Sequence, residues 1–280
     1  MAKQTYREVL SRASSFLEAK GKEGYGIQFL FLERKNWTKT QWVLNMNQEI
    51  SEADQQQIQA DIAALLENIP PHYLLGYADF YDHRFKVTEA TLIPRPETEE
   101  LVALCLQETS KNLPLHVVDV GTGTGAIALS LKAKRPQWQV DAVDISPEAL
   151  EVAKENGERL AIAVTFILGD GLKPLLNETI DVLISNPPYI SQNEWDLMDE
   201  SVRTYEPKLA LFADNEGLAV YEQLAEEAAI CLKTEGKIFL EIGFQQGEAV
   251  RQIFQKKFPQ KKIEIRKDLS GKDRMIYVYG

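Results

Sequence analysis

The sequence predicts an α/β protein: a doubly wound, mostly parallel seven-stranded sheet, preceded by an N-terminal helical bundle and a bridging β-hairpin. Three observations carry this. From about Leu115 onward short apolar runs alternate with helical patterns, as in a parallel sheet covered on both faces. The stretch Asp119-Val120-Gly121-Thr122-Gly123-Thr124-Gly125 closes the first apolar run and opens a helix. Before Leu75 the apolar residues recur at helical spacing instead.

Bulk composition bounds the class. With 280 residues, 44% hydrophobic and 26% charged, the chain is a soluble globular protein with room for one large domain or two ordinary ones. Its net charge of -11 argues against wrapping of nucleic acid by broad phosphate neutralisation, which needs a basic face. Cys105 and Cys231 lie far apart in apolar helical patterns, so buried free thiols and a reducing, cytoplasmic location are expected. No secretory h-region and no bilayer-length apolar run is evident.

In chain order, Tyr6, Val9, Leu10, Ala13, Phe16 and Leu17 form one helical face. Two short helices are expected around Ile27 to Leu32 and Trp42 to Leu44. Ser51-Glu52-Ala53-Asp54 has the shape of a capped start, followed by the stripe Ile58, Ile62, Leu65 and Leu66. Ile69-Pro70-Pro71 marks a boundary. Strand-type residues from Tyr77 to Ile93 suggest the hairpin. Pro96 suits a first helical position, and the acidic residues after it suit that helix's positive end. The expected domains are therefore 1–75, helical and either recognising a partner or capping the fold, a linker at 76–95, and the sheet domain at 96–280.

The seven expected strands are Leu115–Val120, Gln139–Val143, Val164–Leu168, Asp181–Ser185, Lys237–Ile242, Ile263–Arg266 and Arg274–Tyr279. Helices are expected between most of them, including Glu148–Leu160 and Leu218–Leu232. The last two strands have only a turn between them, so the final one is expected to insert antiparallel.

Strand C-termini are where open α/β sheets bind ligands. The glycines of the Gly121–Gly125 loop let backbone approach a ligand. Their spacing is G-x-G-x-G, not the G-x-G-x-x-G of dinucleotide binders, and no Lys or Arg stands near to greet a phosphate. A neutral or cationic nucleoside fits better. Asp144, roughly 20 residues on, is placed to accept from ribose hydroxyls, and Asp170 to meet an adenine amine. Asn186-Pro187-Pro188-Tyr189 ends another strand as a stiff corner, because neither proline has an N–H and Asn186 is pushed to an extended backbone. The Asn186 carboxamide oxygen and the Pro187 carbonyl are two close acceptors, suited to a planar NH2 group. Tyr189 can lie against that group's face. An adenine or cytosine amine and a Gln or Asn amide are all admissible guests.

Taken together, the Gly121–Gly125 loop with Asp144 resembles the class I S-adenosylmethionine-dependent methyltransferases, whose sheet is Rossmann-like. The set Ile93-Pro94-Arg95-Pro96-Glu97-Thr98-Glu99, Asp119 to Ile127, Asn186 to Ile190, Tyr205-Glu206-Pro207, Glu241-Ile242-Gly243 and Lys267 to Arg274 resembles the HemK/PrmC family over essentially the whole chain. That resemblance implies N5-glutamine methylation of peptide chain release factors, S-adenosyl-L-methionine as cofactor and S-adenosyl-L-homocysteine as product. It implies a cofactor set of Gly121, Thr122, Gly123, Thr124, Gly125, Asp144, Asp170, Gly171 and Asn186. At Gly171 the chain departs from relatives with an aromatic residue there, so adenine stacking is not carried over to that position. Asn186, Pro187, Pro188 and Tyr189 would bind the substrate amide of the Gly-Gly-Gln loop, with Asn186, Pro187 and Tyr189 catalytic through positioning. No metal, no direct nucleic acid, no membrane and a monomer are expected. Arg95, Glu206 and Glu241 receive no chemistry from the sequence, and His72, His83 and His116 are scattered. The basic residues Lys256, Lys257, Lys261, Lys262, Arg266 and Lys267 read as a solvated edge. An adenine-amino methyltransferase acting on DNA or RNA is the alternative, against which the acidic balance and the lack of a recognition module weigh. A cofactor-holding module without turnover and a nicotinamide dehydrogenase stand further off.

Overall fold

In a computed structural model that describes residues 4–280, the first helix begins at a reciprocal cap. Thr5 Oγ1 accepts from the Glu8 N–H and the Glu8 carboxylate accepts from the Thr5 N–H, which satisfies two donors that a helix start leaves open. Helix α1 (Tyr6–Ala19) is followed by α2 (Tyr25–Lys35), α3 (Lys39–Asn45), α4 (Glu52–Leu66) and α5 (Pro71–Leu75). Ser51 caps α4, as its sequence predicts. Tyr6, Val9, Leu10, Ala13 and Leu17 are buried against Ile27, Leu30, Phe31, Ile58, Ile62 and Leu65. Phe16 is not among them: it is 44% exposed, because it lies to the side of the stripe that Leu10, Ala13 and Leu17 define. The Tyr6 hydroxyl donates to Asp54 at 2.7 Å, and Arg34 grips buried Asp61 at 3.0 and 3.2 Å. These helices form one unit up to Tyr77, joined by Asp199–Tyr205; a second unit comprises Ala78–Met198 and Glu206–Gly280.

The hairpin strands β1 (Tyr77–Phe80) and β2 (His83–Lys86) turn at Tyr81 and Asp82, both with positive φ, the geometry that matches strand twist in a two-residue hairpin loop. Then follow α6 (Pro96–Glu108), β3 (His116–Val120), α7 (Ala126–Lys134), β4 (Gln139–Asp144), α8 (Pro147–Leu160), β5 (Thr165–Leu168) and β6 (Ile180–Ser185). Three short segments, α9 (Glu200–Tyr205), α10 (Lys208–Leu211) and α11 (Asp214–Gly217, a turn in which Asn215 and Glu216 are left-handed), precede α12 (Ala219–Cys231), β7 (Leu232–Glu241), α13 (Gly247–Lys257), β8 (Lys262–Lys267) and β9 (Asp273–Tyr279).

The large sheet runs β5-β4-β3-β6-β7-β9-β8. The first five strands pair in parallel, while β9 inserts antiparallel between β7 and β8, as expected. Alternation along the strands builds two cores. Val117, Val182, Ile184, Phe239 and Tyr277 pack on one face with Leu101 and Cys105 of α6 and Ile127 of α7. Val118, Leu183, Ile238, Leu240 and Ile276 pack on the other with Tyr221 and Leu224 of α12 and Phe254 of α13. Both cysteines are buried and free.

Candidate active site

The register of the parallel strands assembles the site. Val120 pairs with Val143 and with Ser185, and Ser185 pairs with Leu240. The next residue of each strand or loop is therefore a neighbour of the others: Asp144, Gly121, Asn186 and Glu241 stand in a row along the C-terminal edge of the sheet. The Ser185 hydroxyl locks the end of β6 to the Val120 carbonyl at 2.6 Å. A cavity of ≈ 290 Å³ opens over this row, lined among others by Gly121, Gly123, Asp144, Asp170, Asn186 and Pro187.

The glycine loop is held from two sides. Asp119, fully buried, accepts from the Thr122 hydroxyl at 2.7 Å and from the Ala128 N–H at 3.2 Å. Burial pushes its carboxyl up to about 7, against those two hydrogen bonds. On the other side Asp144 accepts from the Gly123 N–H at 2.8 Å and from the Ser146 N–H at 2.9 Å. Burial also raises the Asp144 carboxyl above its ordinary range. Asn156 ties the hairpin to this loop, giving its amide hydrogens to Lys86 and Thr124 carbonyls at 3.0 Å each.

At the Asn-Pro-Pro-Tyr corner the Asn186 amide donates to Thr98 Oγ1 at 3.0 Å, and the Thr98 hydroxyl donates to Glu241 at 2.6 Å. Among the described residues no hydrogen bond reaches Asn186 Oδ1, which is left for the cavity. Glu241 is 2% exposed; burial pushes its carboxyl up to about 7, opposed by the Thr98 hydrogen bond and the Arg274 charge.

Residues 98–208 match the methyltransferase small domain family model, and residues 8–76 match that of the PrmC N-terminal domain. A release factor glutamine methyltransferase of Enterococcus faecalis is 59% identical over 275 residues, 98% of this chain and 99% of that one. The chain belongs to the release factor glutamine methyltransferase family. Two solved structures share the fold of its sheet unit: a methyltransferase from Pyrococcus furiosus (19% identity, 70% of this chain, 87% of that chain, TM-score 0.53), and a T. thermophilus 16S rRNA N2 G1207 methyltransferase in complex with AdoMet and guanosine (15% identity, 72% and 49%, TM-score 0.52).

As a member of this family, the chain must accommodate S-adenosylmethionine, and its cavity residues fit that group. A side chain built at Gly121 or Gly123 would meet nothing within 4 Å, so both leave free space in the lining. The polar lining carries Asp144 and Asp170, suited to hydroxyls and an amine, beside apolar Ile145, Ala149 and Val220. Thr122, Thr124, Gly171, Asn186 and Pro188 also line it.

Two expected residues stand apart. Gly125, expected to bind cofactor, does not border the cavity; its N–H goes to the Thr122 carbonyl at 2.8 Å, and a methyl there would meet Leu129 at 3.0 Å and Ala153 at 3.3 Å. It is glycine because its backbone is left-handed at the start of α7 and because Leu129 of α7 and Ala153 of α8 leave no room for a methyl. Tyr189, expected to hold the amide plane, also lies off the lining: its hydroxyl donates to Glu241 at 3.4 Å and its carbonyl takes Gln246 at 2.9 Å. The backbone passes tightly there, since a methyl on Gly217 would come within 2.1 Å of that carbonyl.

Asp170 sits at the rim, paired with Lys173 and accepting from Gln223 at 2.8 Å. At Gly171 a methyl would fall 2.3 Å from Glu227 Oε2 and 2.6 Å from Gln223 Nε2, so Gln223, not an aromatic ring, completes this wall. Arg95 and Glu206 form an ion pair at 2.5 Å, and Glu206 also takes the Ile93 N–H at 3.4 Å; Pro94, Arg95 and Pro207 border the cavity. The sequence alone assigns no role to Thr98, Gln223 or this pair. The motif around Thr98 was visible, but its partners are set by strand register.

Among the described residues, one group comes within metal-ligand reach: His116, Asp141 and Glu178. Its geometry is that of an ion pair, with His116 Nε2 2.8 Å from Asp141 and Nδ1 3.2 Å from the Thr179 carbonyl. Also among the described residues, no helix is long and apolar enough to cross a membrane.

Proposed function

We propose that this protein transfers a methyl group from S-adenosyl-L-methionine to the side-chain amide nitrogen of the Gln in the Gly-Gly-Gln loop of a peptide chain release factor. The observation that carries the reading is the orientation of Asn186. Its NH2 is committed to Thr98, so its oxygen is the group left to receive a substrate NH2. When bound, the cofactor supplies an electrophilic methyl on a sulfonium centre. The glycine loop and Asp144 hold the nucleoside part, and Asp170 with Gln223 borders its far end.

An amide nitrogen is a weak nucleophile because its lone pair is delocalised. Asn186 and the Pro187 carbonyl counter this by aiming the nitrogen and by favouring the more positive nitrogen that develops as the new bond forms; the surplus N–H proton is then lost to water. Pro187 and Pro188 make the corner rigid without side-chain entropy. Tyr189 supports it from behind through Glu241. The helical unit recognises the release factor, and the protein works in the cytoplasm as a monomer without direct nucleic-acid contact.

The test is mass spectrometry of release factor incubated with cofactor and either the wild type or Asn186→Ala. The expected result is one added methyl on the Gly-Gly-Gln peptide with the wild type and almost none with the variant, while cofactor affinity stays within a few-fold. Equal methylation by both would remove the mechanism. Labelling of DNA or RNA in place of the release factor would favour the adenine-amino alternative.

A further inference from the structure

The Thr98 hydroxyl stands between two partners, and it has one hydrogen to give. That hydrogen goes to Glu241 at 2.6 Å, so toward Asn186 the Thr98 oxygen can only accept, which it does at 3.0 Å. Thr98 is 5% exposed and Glu241 2% exposed, so water does not compete for the buried bond between them, while the bond to Asn186 is half-buried at the cavity wall. A flipped Asn186 would set its oxygen against the lone pairs of Thr98, leaving a buried acceptor unmet. The chain Glu241–Thr98–Asn186 therefore has a polarity, set at its buried end by a carboxylate.

We infer that Thr98 and Glu241 are positioning residues that fix which end of the Asn186 carboxamide faces the substrate, and so make the site select a glutamine amide over the carboxylate of glutamate. The inference rests on the function proposed above and assigns its selectivity. Gln and Glu side chains have nearly the same shape; they differ in NH2 against O⁻. An acceptor facing the cavity welcomes the first and repels the second. With the lock removed, Asn186 can turn its NH2 outward, donate to a carboxylate, and admit the wrong side chain.

The lock also has a pH response. Thr98 and Glu97 face Glu241 from α6, Tyr189 from the corner and Arg274 from β9. Tyr221 of α12 donates to its backbone carbonyl at 2.8 Å. A protonated Glu241 can itself donate to Thr98, which frees the Thr98 hydrogen for Asn186 and removes the polarity. Its carboxyl is raised to about 7. Selectivity is therefore present above that value and declines as pH falls through it. A glutamate peptide stays ionised over the same range, so its own titration does not interfere.

The experiment is calorimetric titration of the protein, loaded with S-adenosyl-L-homocysteine, with paired Gly-Gly-Gln and Gly-Gly-Glu peptides at pH 8 and pH 6. It compares wild type, Thr98→Val, Thr98→Ser and Glu241→Gln, with release factor methylation run alongside. The wild type should prefer the Gln peptide by about tenfold or more at pH 8, and by less at pH 6. Thr98→Val should lose most of that preference, Thr98→Ser should restore it, and Glu241→Gln should show no pH response. A wild type that methylates release factor while Thr98→Val keeps full preference overturns this inference alone. If Thr98→Val does not fold, Glu241→Gln decides: a pH response like the wild type's overturns the inference. A wild type that leaves release factor unmethylated overturns the functional reading and this one with it.

Discussion

Gly123 and Gly125 look equivalent in the loop, and substituting each by alanine should separate binding from folding. Both have positive φ, 55° and 80°, so in each case alanine carries a backbone penalty of about 1–2 kcal/mol, partly offset by about 0.5–1 kcal/mol from a stiffer unfolded chain. The surroundings then diverge. At Gly125 the methyl meets Leu129 at 3.0 Å and Ala153 at 3.3 Å. Both are fully buried and have little room to move, adding about 1–2 kcal/mol of overpacking. At Gly123 it meets nothing within 4 Å and projects into space the cofactor would use. Gly125→Ala should thus lose about 1–3.5 kcal/mol of stability, and Gly123→Ala about 0–1.5 kcal/mol. Titration with S-adenosyl-L-homocysteine should show the reverse order, Gly123→Ala losing about tenfold to a hundredfold in affinity. Denaturant unfolding and calorimetry on the same samples measure both. If Gly125→Ala, folded at the assay temperature, loses more affinity than Gly123→Ala, the placement of Gly125 behind the cavity wall is refuted.

Asp144→Ala removes the acceptor for the Gly123 and Ser146 N–H groups, and should weaken cofactor binding by about 2–3 kcal/mol with little change in KM for release factor. Calorimetry against steady-state kinetics reads the two effects. His116→Gln should destabilise in a pH-dependent way. The hydrogen bond to Asp141, helped by the nearby Thr179 carbonyl and Glu178, raises the His116 imidazole above its ordinary 6.5. Its stabilisation is therefore full below the unfolded value and fades as pH rises through the folded one. The Tm gap between wild type and variant should be wide at pH 6 and narrow at pH 9, and a gap that grows with pH would contradict the assignment.

The strands were legible wherever β-branched residues ran together, and Gln139–Asp144 and Ile180–Ser185 fall within a residue of their expected limits. β7 was not: it starts at Leu232, five residues before the expected Lys237, because Lys233, Thr234 and Glu235 are exposed and polar and carry no apolar pattern to read. Phe16 was misplaced because apolar spacing names a stripe, and its edges depend on what packs there. Motif spacing likewise could not divide Gly123 from Gly125, since the difference lies in Leu129 and Ala153 across the turn. The Asn186–Thr98–Glu241 chain was out of reach for a related reason. It joins residues 88 and 143 positions apart: the pairing of Ser185 with Leu240 sets Asn186 beside Glu241, and the packing of α6 on the sheet brings Thr98 to both.

The insertion of β9 between β7 and β8 separates the order of synthesis from the order of assembly. β8 leaves the ribosome before β9, yet β9 is its one neighbour in the sheet. Residues 262–267 therefore join the sheet only through residues 273–279, and the outer edge of β7 stays open until those same residues arrive. The docking of residues 273–279 closes two seams at once. Until then the outer edge of β7 is an open template for wrong pairing, so a chain that lacks residues 273–279 loses the protection of that edge as well as the docking of β8.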